Sequence, residues 1–204
     1  MIPDLAYLLD LQANTYLAQP EGEVYDAGPD RVVLTRSEGR IDITLRGTQN
    51  PLGWQSDFQI EPRIHPILGI GHRGFMDGAD ALWDLIADKV QTEPTVKIRV
   101  IGHSRGAAIV PWIVGYLLWA GITPDYALAI EKPWTCGLKL KEHILAAYVR
   151  GAELWHGDDP VPAAPALAWL VPNVWPVVHF GEPTLDPFDC HHLPGIIADQ
   201  GLVI

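Results

Sequence analysis

The chain has 204 residues, 48% of them hydrophobic and 19% charged, which is the composition of a globular protein long enough to bury one core without covalent staples. Its 14 basic and 25 acidic residues leave a net charge of -11, which argues against nucleic acid and against adsorption on anionic membranes, since phosphate binding needs clustered Lys and Arg. Cys136 and Cys190 are too few for a disulfide scaffold and lack the close pairing of a zinc motif, so both are expected to be inert buried thiols.

In chain order, the opening segment has no basic region and carries Asp4 and Asp10 where an export signal would be apolar. Leu5, Leu8, Leu9, Tyr16 and Leu17 instead fit one face of a helix that ends by Pro20. No apolar run reaches transmembrane length, which predicts a soluble protein made in the cytoplasm, with release by other routes left open. Residues 31–36 (RVVLTR) and 40–46 (RIDITLR) flank Glu38-Gly39 and predict a hairpin. A stretch rich in Gly and Pro follows over 47–74 without a clear period, and a loop of that length in a compact domain is usually functional. Helical periodicity returns at 75–90, with Leu82, Leu85 and Ile86 as core candidates.

Residues 96–101 (VKIRVI) predict a strand and the segment to about 120 a helix with a kink expected at Pro111. Residues 126–130 read as a strand, 138–147 as a helix and 148–155 as a strand. Asp158 to Pro176 is proline-rich loop, 177–180 a short strand and 193–200 a terminal helix. Strands alternating with helices predict an α/β fold over residues 1–204, with a mostly parallel sheet covered on both faces.

Between one such strand and helix stands Gly102-His103-Ser104-Arg105-Gly106, a G-x-S-x-G elbow. With only three serines and 19 glycines in the chain, chance alone supplies roughly 0.03 such motifs. The sharp turn lifts a serine hydroxyl clear of the sheet, and glycines flank it because a β-carbon there would strike the neighbouring strand or helix. A base and an acid should follow in the chain. His143, His156, His179, His191 and His192 are available as base. The last two sit in a loop before the terminal helix, where an imidazole can reach Ser104. Asp158 and Asp159 directly follow a predicted strand and are the candidate acids; composition does not choose between them. A metal site built from Asp189, His191 and His192 is the competing reading, and it lacks a second group of ligands.

Six motifs in order resemble the class 3, fungal-type lipase family of α/β-hydrolases. They are Leu45-Arg46-Gly47-Thr48, Trp54 to Asp57, His72-Arg73-Gly74-Phe75, the GHSRG elbow, Asp159-Pro160-Val161-Pro162, and His192 followed by LPGI. The resemblance implies an α/β-hydrolase fold and a triad of Ser104, Asp159 and His192, with Asp158 and His191 as understudies. It also implies an oxyanion hole from the Arg105 N–H and from Thr48. Trp54, Phe58 and His103 become candidate substrate-binding residues. Arg105, Gly106 and Ala107 depart from the Leu and paired glycines usual in the family after the nucleophile, and the Arg105 side chain is expected to point to solvent. Residues 50–60 leave room for only a stub of a lid.

The expected function is carboxylic ester hydrolysis through an acyl-enzyme, on short- to medium-chain esters or acylglycerols, without cofactor or metal. The expected partner is a small-molecule ester or lipid, with transient contact to a lipid interface and no obligate protein partner. Trp54, Phe58, Trp169, Leu170, Val171 and Trp175 could supply an apolar mouth or simply pack loops onto the core. A phospholipase A1, thioesterase or peptidase would use the same triad. A non-catalytic binding module on the same scaffold would be expected to have lost a triad member.

Overall fold

The computed structural model describes residues 2, 4–48, 61–91, 96–164 and 166–199, without the side chains of 91, 187, 188 and 199. Helix α1 (Leu5–Asn14) precedes three strands, β1 (Glu23–Ala27), β2 (Asp30–Ser37) and β3 (Arg40–Leu45). The short strands β4 (Pro62–His65) and β5 (Gly69–His72) lead into helix α2 (Arg73–Gln91). Strand β6 (Lys97–His103), helix α3 (Arg105–Trp119), strand β7 (Tyr126–Ile130), helix α4 (Leu138–Ala146) and strand β8 (Gly151–His156) then alternate. Strand β9 (Val177–Phe180) and helix α5 (Leu193–Asp199) close the described chain.

Seven strands form one sheet in the order β1-β2-β3-β6-β7-β8-β9. The first three are joined by antiparallel pairings, and everything from β3 to β9 is parallel. This is the predicted mostly parallel sheet, with an antiparallel edge. The 31–36 and 40–46 hairpin falls on β2 and β3 as expected. Alternation along β6 explains the two layers: Ile98 and Val100 enter the core beneath α2, α3 and α4, and Ile101 enters the core beneath α1 and α5. Arg99 and His103 share the parity of Ile101, so β6 presents two buried polar groups to the α1 face.

Two expectations are corrected, and one choice left open by the sequence is decided. Part of the stretch read as irregular is a hairpin, β4 paired antiparallel with β5. Leu82 and Ile86 are fully buried, but Leu85 is exposed on the outer side of α2. Leu170 and Trp175 are buried, with Trp175 packed against Gly151 at the start of β8 and donating its indole N–H to the Val149 carbonyl. Trp175 therefore packs its loop onto the core at the opposite end of β8 from Asp159. No helix among the described residues is long and apolar enough to cross a membrane.

Candidate functional site

The elbow is built as its residue types require. Ser104 sits at φ 55°, ψ -122°, between the end of β6 and the start of α3. Such backbone angles in a non-glycine residue cost of order 1–3 kcal/mol and persist only where the surroundings impose them. Both flanking glycines are needed for space. A β-carbon on Gly102 would lie 2.5 Å from the Gly106 carbonyl oxygen, and one on Gly106 would lie 2.2 Å from that of Leu45. The Ser104 N–H donates to the Ile130 carbonyl at 2.8 Å, which ties the turn to the end of β7.

The imidazole facing Ser104 is that of His191. The Ser104 hydroxyl lies 2.8 Å from His191 Nε2, and His191 Nδ1 lies 2.6 Å from Asp159 Oδ2. This corrects the assignment to His192. A short 3-10 turn, Pro187–His191, carries His191 inward to an almost fully buried position, and His192 is exposed at the step into α5. The two side chains differ by one residue in a tight turn and so point in different directions.

Asp159 was the expected acid, and it is the carboxylate that the fold brings to the imidazole. It is fully buried, its Oδ1 takes the Val161 N–H at 2.9 Å, and Oδ2 takes the imidazole N–H. Burial alone would raise its pKa. Hydrogen bonds from His191 and Glu131 outweigh burial and hold it below the ordinary aspartate value. Asp158 is exposed and accepts from the Thr184 N–H and Cys190 Sγ–H, so it braces the loop that carries His191. Glu131, directly after β7, was not anticipated. It is fully buried and offers a carboxylate oxygen within 4.8 Å of Asp159 and His191 ligand atoms. The available signal was its position: in open α/β sheets ligands gather at the carboxyl ends of strands, and Glu131 ends one.

His103 was a candidate for substrate binding, and the structure turns it inward instead. Gly47 N–H donates to Tyr16 Oη at 3.0 Å, and Tyr16 O–H reaches His103 Nδ1 at 2.7 Å. His103 Nε2–H in turn reaches the His191 carbonyl at 2.9 Å. A neutral imidazole completes this directed chain, accepting at one nitrogen and donating at the other. Burial, then the neighbouring His191, lowers the His103 pKa to about 3 and keeps it neutral. The chain runs from Gly47 through Tyr16, two residues past the end of α1, to the backbone of the residue facing Ser104, so His103 holds the site together.

Gly47 is pressed close, since a β-carbon there would sit 3.0 Å from Ser104 Cβ. Thr48, the next residue, is half-buried beside it. The Arg105 side chain is not in solvent as expected. Its guanidinium makes a two-pronged pair with Asp30 of β2, Nε to Oδ1 at 2.6 Å and Nη2 to Oδ2 at 2.9 Å, and also donates to the Gly74 carbonyl. Thus the side chain after the nucleophile clamps β2 and α2, leaving its backbone at the first turn of α3. Trp54 and Phe58, the Trp54 to Asp57 motif and the stub of a lid lie outside the described residues.

Comparison with known proteins agrees with this architecture. No protein-family model matches the chain. A secreted mono- and diacylglycerol lipase 1 from Fusarium solani is 27% identical over 154 residues, covering 68% of this chain and 43% of its own length. The chain therefore spans under half of the curated relative that it matches. The Rhizomucor miehei triacylglyceride lipase structure superposes with a TM-score of 0.71 at 17% identity, covering 94% of this chain and 87% of that one. A mutant form of MDLA from Penicillium cyclopium gives 0.69 at 19% identity, over 88% and 79% of the two chains. Lipase II from Rhizopus niveus gives 0.64 at 17% identity, over 86% and 74%. The resemblance read from the motifs is thus borne out by a sequence relative and by the fold.

Proposed function

We propose that this chain, with its fungal-type lipase resemblance and α/β-hydrolase fold, is a serine carboxylic ester hydrolase that works through an acyl-enzyme on Ser104. The observation that carries the reading is the unbroken hydrogen-bond chain from Ser104 through His191 to Asp159. In the forward step His191 Nε2 takes the Ser104 proton as the hydroxyl oxygen attacks the ester carbonyl. Asp159 holds the imidazole in the tautomer that leaves Nε2 free to accept, and stabilises the cation that forms. The developing oxyanion is held by the Arg105 N–H at the start of α3 and by Thr48, with the positive end of the helix adding to them. His191 then protonates the leaving alcohol. Water, deprotonated by the same imidazole, attacks the acyl-enzyme and releases the acid and free Ser104.

For the substrate we propose short- to medium-chain esters, with mono- and diacylglycerols as the natural class to test. The similarity to the mono- and diacylglycerol lipase of Fusarium solani supports that choice. Phospholipid and thioester substrates belong in the same assay panel, because the triad serves them equally.

Ser104→Ala should abolish fluorophosphonate labelling and lower kcat for p-nitrophenyl esters by about 10⁴-fold or more. Turnover near that of the wild type would overturn the proposal. Comparing dissolved with emulsified esters over a range of chain lengths would then separate esterase from interfacial lipase.

A further inference from the structure

Glu131 is a costly residue to place where it stands. It is one of four non-glycine residues with positive φ among those described, at 51°, and it is completely buried. Its backbone continues the sheet, donating its N–H to the Leu154 carbonyl at 2.9 Å. Its side chain turns towards the triad. Oε1 accepts the His156 N–H at 2.6 Å, but Oε2 is sealed from solvent and receives no hydrogen bond from any N–H or O–H group. The neighbour within hydrogen-bonding reach is the Asp159 carboxyl. Both Asp159 oxygens already receive donors, from Val161 and from His191. Of the four oxygens in this carboxyl pair, only Glu131 Oε2 lacks a donor, so it is the one that can carry a proton and donate.

The surrounding groups supply no cation to replace that proton. Lys132, the next residue, ends 3.4 Å from Glu153 and donates to the Pro172 carbonyl. His103 is neutral and occupied by Tyr16 and the His191 carbonyl. His156 Nδ1 meets the Cys190 carbonyl, and Cys190 itself is turned to Asp158 and Thr184. His192, one residue beyond the base, is exposed.

We propose that Glu131 is a positioning residue for the triad, a neutral carboxylic acid that donates its O–H to the Asp159 carboxylate and moderates how strongly that carboxylate draws a proton onto His191. The inference rests on the triad reading given above. Burial first, then the facing Asp159 carboxylate, drives the Glu131 pKa upward, in agreement with the geometry. The sign follows from charge. A hydrogen bond donated to Asp159 spreads its negative charge, which makes the imidazolium less favourable and keeps the base neutral to lower pH. Removing the donor should make acid inactivation begin earlier.

The test compares wild type, Glu131→Gln and Glu131→Leu by kcat/KM against pH with a p-nitrophenyl ester, and by the rate of fluorophosphonate labelling against pH. Gln keeps a neutral donor, so its acid limb should stay within about 0.2 units of wild type. Leu removes the donor, so its limb should move up by about half a unit to one unit, with KM changed less than about twofold. A Gln limb displaced downward would mean that Glu131 is ionised in the native protein, and an unmoved Leu limb would mean that it does not tune the base; either overturns the proposal. If the Leu variant does not fold, infrared spectroscopy decides independently of activity. Wild type at neutral pH should show a protonated-carboxyl C=O stretch that disappears in Glu131→Gln, and its absence from wild type overturns the proposal. Loss of wild-type labelling and turnover would instead overturn the triad reading, and the infrared band would still report on Glu131.

Discussion

The two ends of strand β6 handle buried charge in opposite ways. Near its start, Arg99 meets Asp42 of β3 through two hydrogen bonds, of 2.5 and 2.8 Å, and the Tyr7 hydroxyl adds a third to the same carboxylate. One buried cation there matches one buried anion, in a planar fork, with the exposed Asp4 carboxylate 3.8 Å from the same guanidinium. Just beyond its other end lie Ser104, His191, Asp159 and Glu131, where two buried carboxyl groups face one another, only Asp159 meets the imidazole, and no Lys or Arg among the described residues pairs with either. A matched pair resists any change in protonation, because losing either charge strands the other. An unmatched cluster must hold a mobile proton to balance itself, which is what acid–base chemistry uses. The strand thus carries a matched pair near one end and the proposed reacting groups at the other.

The largest expected effect breaks the reactive end. His191→Ala should reduce kcat by about 10⁴-fold or more, as Ser104→Ala does, whereas His192→Ala should stay within a few-fold of wild type. Steady-state ester kinetics on the two variants decide it, and the reverse ranking would restore His192 as the base. The next effect breaks the matched end. Arg99→Met should destabilise the fold by about 3–5 kcal/mol in urea denaturation, since it leaves a buried carboxylate unpaired. Adding Asp42→Leu should recover most of that loss. Turnover per folded molecule should be nearly unchanged in both; a large kcat defect would mean that the two ends are coupled.

The remaining effect concerns acid and grows as the pH falls. His103 is held to about 3 and His72 to about 4, both chiefly by burial, with His191 adding for His103 and Arg105 for His72. The folded protein therefore refuses protons that the unfolded chain accepts below the ordinary histidine value. Stability should be full above about pH 6.5 and decline towards pH 4 by about 1.4 kcal/mol per unit for each of the two. Urea midpoints at pH 7, 6 and 5 measure this, and a flat profile would contradict the neutral, buried state of both rings.

Much of this layout was legible in the sequence because it follows from local pattern. The strand–turn–helix around Ser104 is marked by an apolar run, two glycines and small residues, each required by close approach. Asp159 stood where a parallel strand ends. His191 was misjudged because the LPGI that follows His192 resembles a family motif, while the inward direction is set by the phase of a 3-10 turn that periodicity does not reveal. Glu131 was overlooked because a charged pair after YALAI reads as a solvated strand end; only the packing of β8 and the loop carrying His191 encloses it. Arg105 looked solvent-bound for a similar reason, its partner Asp30 lying 75 residues earlier in the chain. Strands β1, β4 and β5 are short and carry polar or glycine residues, so their pairing is imposed by neighbours rather than by their own alternation.

The hydrogen bond between Ser104 and His191 spans 87 positions, and the links that brace it, Tyr16 to His103 and His103 to the His191 carbonyl, span 87 and 88. Contacts so remote in sequence carry a loop-closure cost that local structure does not repay. The central strands must therefore assemble before the two distant arms can lock onto one another. During refolding, reactivity of Ser104 is expected to return after the burial of Trp112 in the core. The site is in this sense the chain's final checkpoint, reporting that both arms have reached their places.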